Sequence, residues 1–121
     1  MPLIQEQFFD IGANLTHKSF TEDLDYVLAE ANKLGVRRLS VTGSSLKESI
    51  EAFEISQLYP ETCISTAGIH PHNAKEYSRE SFSEIKNLLK NDLVKSIGET
   101  GLDFNRNFSS PEDQQLSLIH I

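Results

Sequence analysis

Ser96-Ile97-Gly98-Glu99-Thr100-Gly101-Leu102-Asp103 is the stretch on which the reading of this chain turns. A short apolar run (Leu93, Val94, Ile97) leads into Glu99. Gly98 and Gly101 flank that carboxylate, and Asp103 follows four residues on. In a chain that alternates strand and helix, strand ends are where side chains converge on a ligand. A carboxylate there needs a cation, a hydrogen-bond donor or water as partner. Taken alone, the stretch is open to two readings. One is a metal ligand or acid/base group; the other is a solvated turn in which glycine supplies unusual backbone angles.

The same pattern recurs upstream. A short strand is expected at residues 8–11. A helix over 20–34 carries Leu24, Val27, Leu28, Ala31 and Leu34 at helical spacing, with Ser19 and Glu22 as a capping box and Gly35 as its stop. A second strand covers 36–42. Ser45 and Glu48 open a second helix that Pro60 ends. A third strand covers 63–69, Ser81 and Glu84 open a third helix, and a fourth strand covers 93–97. Ser110-Pro111 is a cap followed by proline at the first helical position. Strands thus return about every 30 residues, the length of one βα unit, so the fold class is α/β with a parallel sheet. Four such units make either a small open sheet or the N-terminal half of a (β/α)8 barrel of TIM type, which typically takes about 250 residues. The chain reads as one truncated domain over residues 1–115. Residues 116–121 are apolar and uncapped, and are expected to be a truncated or non-native tail.

Composition narrows the function. The net charge is −7, and Arg37-Arg38 is the only adjacent basic pair, which argues against a broad basic surface for nucleic acid. The single cysteine, Cys63, excludes an internal disulfide and lies in an apolar strand, where an inert buried thiol is the expectation. No apolar run reaches the about 18 residues of a membrane span, and residues 1–8 lack a signal-peptide pattern, so a cytoplasmic protein without membrane contact is expected. A P-loop and a Gly-x-Ser-x-Gly elbow are both absent from the sequence. Sequence leaves the oligomeric state undefined.

Three clusters fall at strand ends: Asp10-Ile11-Gly12-Ala13-Asn14, His70-Pro71-His72, and Glu99 to Asp103. A parallel sheet puts all three on one face. Each has a bland alternative. Asp, Gly and Asn are turn residues, and a histidine is often a satisfied structural side chain. His17 and His120 have no comparable setting and are read as background.

Together these clusters resemble the TatD family of metal-dependent deoxyribonucleases. Asp10 to Thr16 resembles its opening motif, Ser65 to His72 its third-strand motif, and Ile97 to Phe104 its most distinctive one, continued by Asn105 to Ser109. The resemblance implies a barrel hydrolase with a divalent ion, Mg2+ or Mn2+, acting on single-stranded DNA or DNA ends. It implies Glu99 as a metal ligand, with Asp10 and Asn14 as the first strand's contribution. His70 and Asp103 would be catalytic, and Arg106 and His72 would contact substrate. Many relatives begin Asp-x-His-x-His; here Gly12 and Asn14 stand at those places, as in the Asp-Ile-Gly-x-Asn branch. The family's later His, His and Asp ligands belong to strands beyond residue 121.

The resulting expectation is a DNA phosphodiester hydrolase, with an exonuclease as one form of it, of which this chain is an incomplete and inactive part. Open strand edges and uncovered apolar faces should also make it prone to aggregate. The alternatives are a related barrel hydrolase acting on a small ester or amide, and a non-enzymatic βα domain that binds a partner.

Overall fold

A computed structural model of the chain describes residues 6–121; of the N-terminal stretch 1–8 read above, residues 1–5 lie outside it. Four parallel strands, β1 (Phe8–Ala13), β2 (Val36–Val41), β3 (Cys63–Ala67) and β4 (Val94–Ile97), pair in the order β1-β2-β3-β4. Between and after them come helices α1 (Leu24–Lys33), α2 (Leu46–Leu58), α3 (Arg79–Leu88) and α4 (Pro111–His120). Sequential parallel order with a helix after each strand is the construction of half a (β/α)8 barrel. It places every strand's C-terminal end on one rim.

The helices cover one face of the sheet. Leu39, Val41 and Cys63 pack with Leu28 of α1 and Ala52 of α2, while Ala67 and Val94 pack with Ile85 of α3. Burial alternates strictly along β3, which is the period-two signature of a strand with one face in the core. Cys63 is fully buried, and desolvation pushes its thiol up to about 11, so it is a core side chain and not a nucleophile. The opposite face and the margins are bare: Phe9, Ile11 and Ile97 are each at least half exposed. Among the described residues no helix is long and apolar enough to cross a membrane.

Several boundaries differ from the sequence expectation, each for a local reason. β1 runs past Ile11 to Ala13, whose carbonyl accepts from Thr42 N at 3.1 Å. Ser19 and Glu22 form no capping box. Residues Lys18–Phe20 make a 3-10 turn instead, and the Nδ1 of His17 accepts from Ser19 N. The helix proper starts at Leu24. β3 leaves the ladder after Ala67 because Gly68 N turns to Ser49 Oγ at 3.1 Å. The third capping box is Ser78 with Ser81, three residues earlier than expected. Gly35 does end α1, in the left-handed region at φ 96°; a Cβ there would meet Glu6 O at 2.6 Å. The caps at Ser45 and Ser110 form as expected, accepting from Glu48 N and Asp113 N. α4 extends through residues 116–120 and buries Gln114 and Ser117, leaving Leu116 and Ile119 exposed.

Candidate active site

The rim residues are held by backbone contacts between strand ends. Glu99 N donates to Gly43 O at 2.6 Å, and Gly98 N donates to Ala67 O at 3.0 Å. Thr66 connects three strand ends: its Oγ1 accepts from Gly43 N at 3.0 Å and donates to Gly98 O at 2.8 Å. Two glycines permit this closeness. A Cβ on Gly43 would stand 2.4 Å from Ser49 Oγ, and one on Gly68 would stand 2.8 Å from the carbonyl oxygens of Gly98 and Glu99. Glu99 is therefore placed by its neighbours' backbone, while its side chain reaches outward and is exposed. Among the described residues the Glu99 carboxylate has no hydrogen-bond or ion-pair partner.

After β3 the chain turns at His70-Pro71, and Pro71–Glu76 forms a 3-10 turn capped by His70. Proline at the first position of the turn presets its geometry. His70 N donates to Ser44 O at 2.8 Å, and the Nδ1 of His70 accepts from His72 N at 3.0 Å. An accepting Nδ1 puts the proton of the neutral ring on Nε2. His70 thus offers a donor at its free edge.

His72 pairs with Asp103: Nε2 lies 2.6 Å from Oδ2, with both side chains about a quarter exposed. That hydrogen bond, joined by one from Arg106 N, holds the Asp103 carboxyl below the usual carboxylate range. The other oxygen of Asp103 accepts from Asn105 N at 3.1 Å and Arg106 N at 3.2 Å.

Two cavities open on this rim. The larger, of about 730 Å³, is walled by Asn14, Thr66, His70, His72 and Glu99 among others. The smaller, of about 360 Å³, shares His70, His72 and Glu99 and adds Asp103 and Arg106. The structure thus brings together six of the seven site residues expected from sequence. Asp10 lines neither cavity, and its Oδ1 accepts from Gly12 N at 3.0 Å. Sequence reasoning missed Thr66 and Gln114. The short-range signal for Thr66 was its place one residue from the end of a strand. For Gln114 there was none.

A carboxylate without partners that shares a cavity wall with imidazole and amide groups suits a hard divalent cation. The donor set is partial, however. Among the described residues no three His, Cys, Asp or Glu side chains stand together closely enough to hold a metal ion, and a catalytic ion usually takes three protein ligands.

Comparison with known proteins gives the chain's family. A protein of Pectobacterium carotovorum subsp. carotovorum named 3'-5' ssDNA/RNA exonuclease TatD is 45% identical over 107 residues, covering 88% of this chain and 41% of that protein. The chain therefore spans about two fifths of the length of the curated relatives it matches. A crystal structure of a TatD family hydrolase from Entamoeba histolytica superposes with a TM-score of 0.80 at 32% identity, over 94% of this chain and 44% of that one. A TatD homolog from Escherichia coli shares the fold, with a TM-score of 0.82 at 23% identity over 93% of this chain and 44% of that one. The model of the family described as TatD related DNase matches residues 9–121, and on that match the chain belongs to this family.

Proposed function

We propose that this chain supplies part of the active site of a divalent-metal-dependent nuclease that hydrolyses phosphodiester bonds in single-stranded nucleic acid from an end. The observation that carries the reading is the shared cavity lined both by the partnerless carboxylate of Glu99 and by His70, whose Nδ1 is already engaged by His72 N.

Glu99 would hold the ion, Mg2+ or Mn2+, with Asn14 on the same wall as the first strand's contribution. Asp10 lines neither cavity, and one of its carboxylate oxygens is engaged by Gly12 N. A bound divalent ion supplies Lewis-acid polarisation of the phosphodiester. The remaining roles belong to this chain's own groups. His70 donates from Nε2 to a non-bridging phosphate oxygen. Asp103 fixes the ring of His72 through Nε2, so that His72 faces substrate in one orientation. Arg106, on the wall of the smaller cavity, has a planar fork that matches two phosphate oxygens. Further ligands would come from strands outside these residues, because among the described residues no three His, Cys, Asp or Glu side chains stand together closely enough to hold an ion.

Incubation of a full-length version, carrying this chain together with the further ligand-bearing strands, with an end-labelled single-stranded DNA oligonucleotide in Mg2+ or Mn2+ tests the reaction. Cleavage that EDTA and Glu99→Ala both abolish is the expected result. The net charge of −7 favours an alternative, a small ester or amide as substrate. Turnover of such a compound without cleavage of the oligonucleotide would overturn the nuclease reading.

A further inference from the structure

Gln114 has no part in the chemistry above, yet at 1% exposed it is among the most buried polar side chains described. It lies in the first turn of α4, behind the loop that follows β4. All three of its polar contacts go to that loop. Oε1 accepts from Asp103 N at 2.7 Å, and Nε2 donates to Asp103 O at 3.0 Å and to Ser109 O at 2.9 Å. The amide thus satisfies both backbone groups of Asp103, as a neighbouring strand would.

Ser109, 2% exposed, extends the grip to the other partner. Its Oγ donates to His72 O at 2.9 Å and accepts from Lys75 N at 3.0 Å. The backbone of Asp103 is held by Gln114 and the backbone of His72 by Ser109, and Gln114 in turn holds Ser109. The facing side chains alone would not keep this geometry. Partly exposed pairs are weak in water and lose order to side-chain entropy. A buried amide with every polar atom engaged is costly to displace.

We infer that Gln114, acting with Ser109, is a positioning residue for the His72–Asp103 pair. It sets the backbone from which Asp103 meets the His72 ring, and so fixes the orientation of a side chain that walls both cavities. Its bearing on catalysis rests on the nuclease reading; its bearing on geometry does not.

The ring proton on the Nε2 of His72 is the readout. In the 121-residue chain it should give a downfield NMR line slowed in exchange by the carboxylate, and Asp103→Asn assigns that line by removing or shifting it. Gln114→Met keeps the volume and deletes all three contacts. The expected result is loss of the line with the circular dichroism spectrum retained, while Gln115→Met at the exposed neighbour leaves it in place. If Gln114→Met does not fold, Ser109→Ala is read instead, and faster exchange of the same proton is expected. An unchanged line in folded Gln114→Met overturns the inference, as does an unchanged line in Ser109→Ala where only that variant folds. Loss of the line in Gln115→Met also overturns it. Failure of a full-length version to cleave DNA while Gln114→Met still abolishes the line would sink the nuclease reading alone.

Discussion

The ring of His72 and the carboxylate of Asp103 meet at 2.6 Å, joining the turn after β3 to the loop after β4 across 31 positions of sequence. Because this contact holds the Asp103 carboxyl below its ordinary range, folding should depend on acidity in a defined direction. A carboxyl whose folded pKa is depressed contributes stability that is complete above its unfolded value, about 3.9 for aspartate. That contribution is lost as pH falls through the folded value. Urea midpoints of the wild-type chain and Asp103→Asn, taken from pH 7 downward, should keep a constant gap to about pH 4 and then converge. A gap that widens below pH 4 would contradict the assignment.

Gly68→Ala should separate the ends of β3 and β4. The added Cβ would stand 2.8 Å from Gly98 and Glu99 backbone atoms, which are not free to swing aside. A loss of about 1–3 kcal/mol is expected from urea unfolding, the usual cost of overpacking. The amide of Gly98, bonded to Ala67 O, should exchange faster with deuterium.

Thr66→Val preserves shape and removes both bonds of the hydroxyl. Gly43 N and Gly98 O would be left without a partner in a part-buried setting. A cost of about 1–3 kcal/mol follows, and thermal unfolding measures it. Replacement by serine keeps the hydroxyl and should retain most of the stability.

Glu99→Gln should remove preferential binding of Mn2+. In the wild-type chain the paramagnetic ion is expected to broaden NMR lines of His70 and Asn14, the cavity neighbours, before any others. Equal broadening in the Glu99→Gln chain would show that the ion sits elsewhere.

Arg106→Ala should weaken binding of single-stranded oligonucleotides to a similar degree whatever their sequence, since a phosphate contact carries no base information. Anisotropy titrations at several salt concentrations should show a slope reduced by about one. A sequence-dependent loss would point to base contact.

The strands and their parallel sense could be read from the chain because apolar runs recur at βα spacing and each ends in a turn residue, whereas their order in the sheet could not. Cys63 to Ala67 alternates in burial, but with Ser65 inside and Ile64 half-buried, a pattern that its letters do not suggest. Helix starts were harder to place. Both Ser78 and Ser81 satisfy the first position of a capping pattern, and only the reciprocal bonds between them select Ser78. His17 was read as background, but it caps a 3-10 turn through Nδ1, a local contact that no periodicity announces. At the site, parallel strands were enough to bring Asn14, His70 and Glu99 to one rim. Asp10 was grouped with them because it shares their strand end, yet the neighbouring Gly12 N takes its carboxylate and it walls neither cavity. The role of Gln114 was hidden because its partners are main-chain atoms of Asp103 and Ser109, which any residue types would present.

His70 accepts a backbone N–H at Nδ1, whereas His72 faces a carboxylate through Nε2. Two chemically identical rings, two positions apart, are therefore not interchangeable reagents. Each has a different nitrogen committed, so His70 leaves its donor edge at Nε2 free while His72 leaves its acceptor edge at Nδ1 free, and swapping their environments would exchange those free edges.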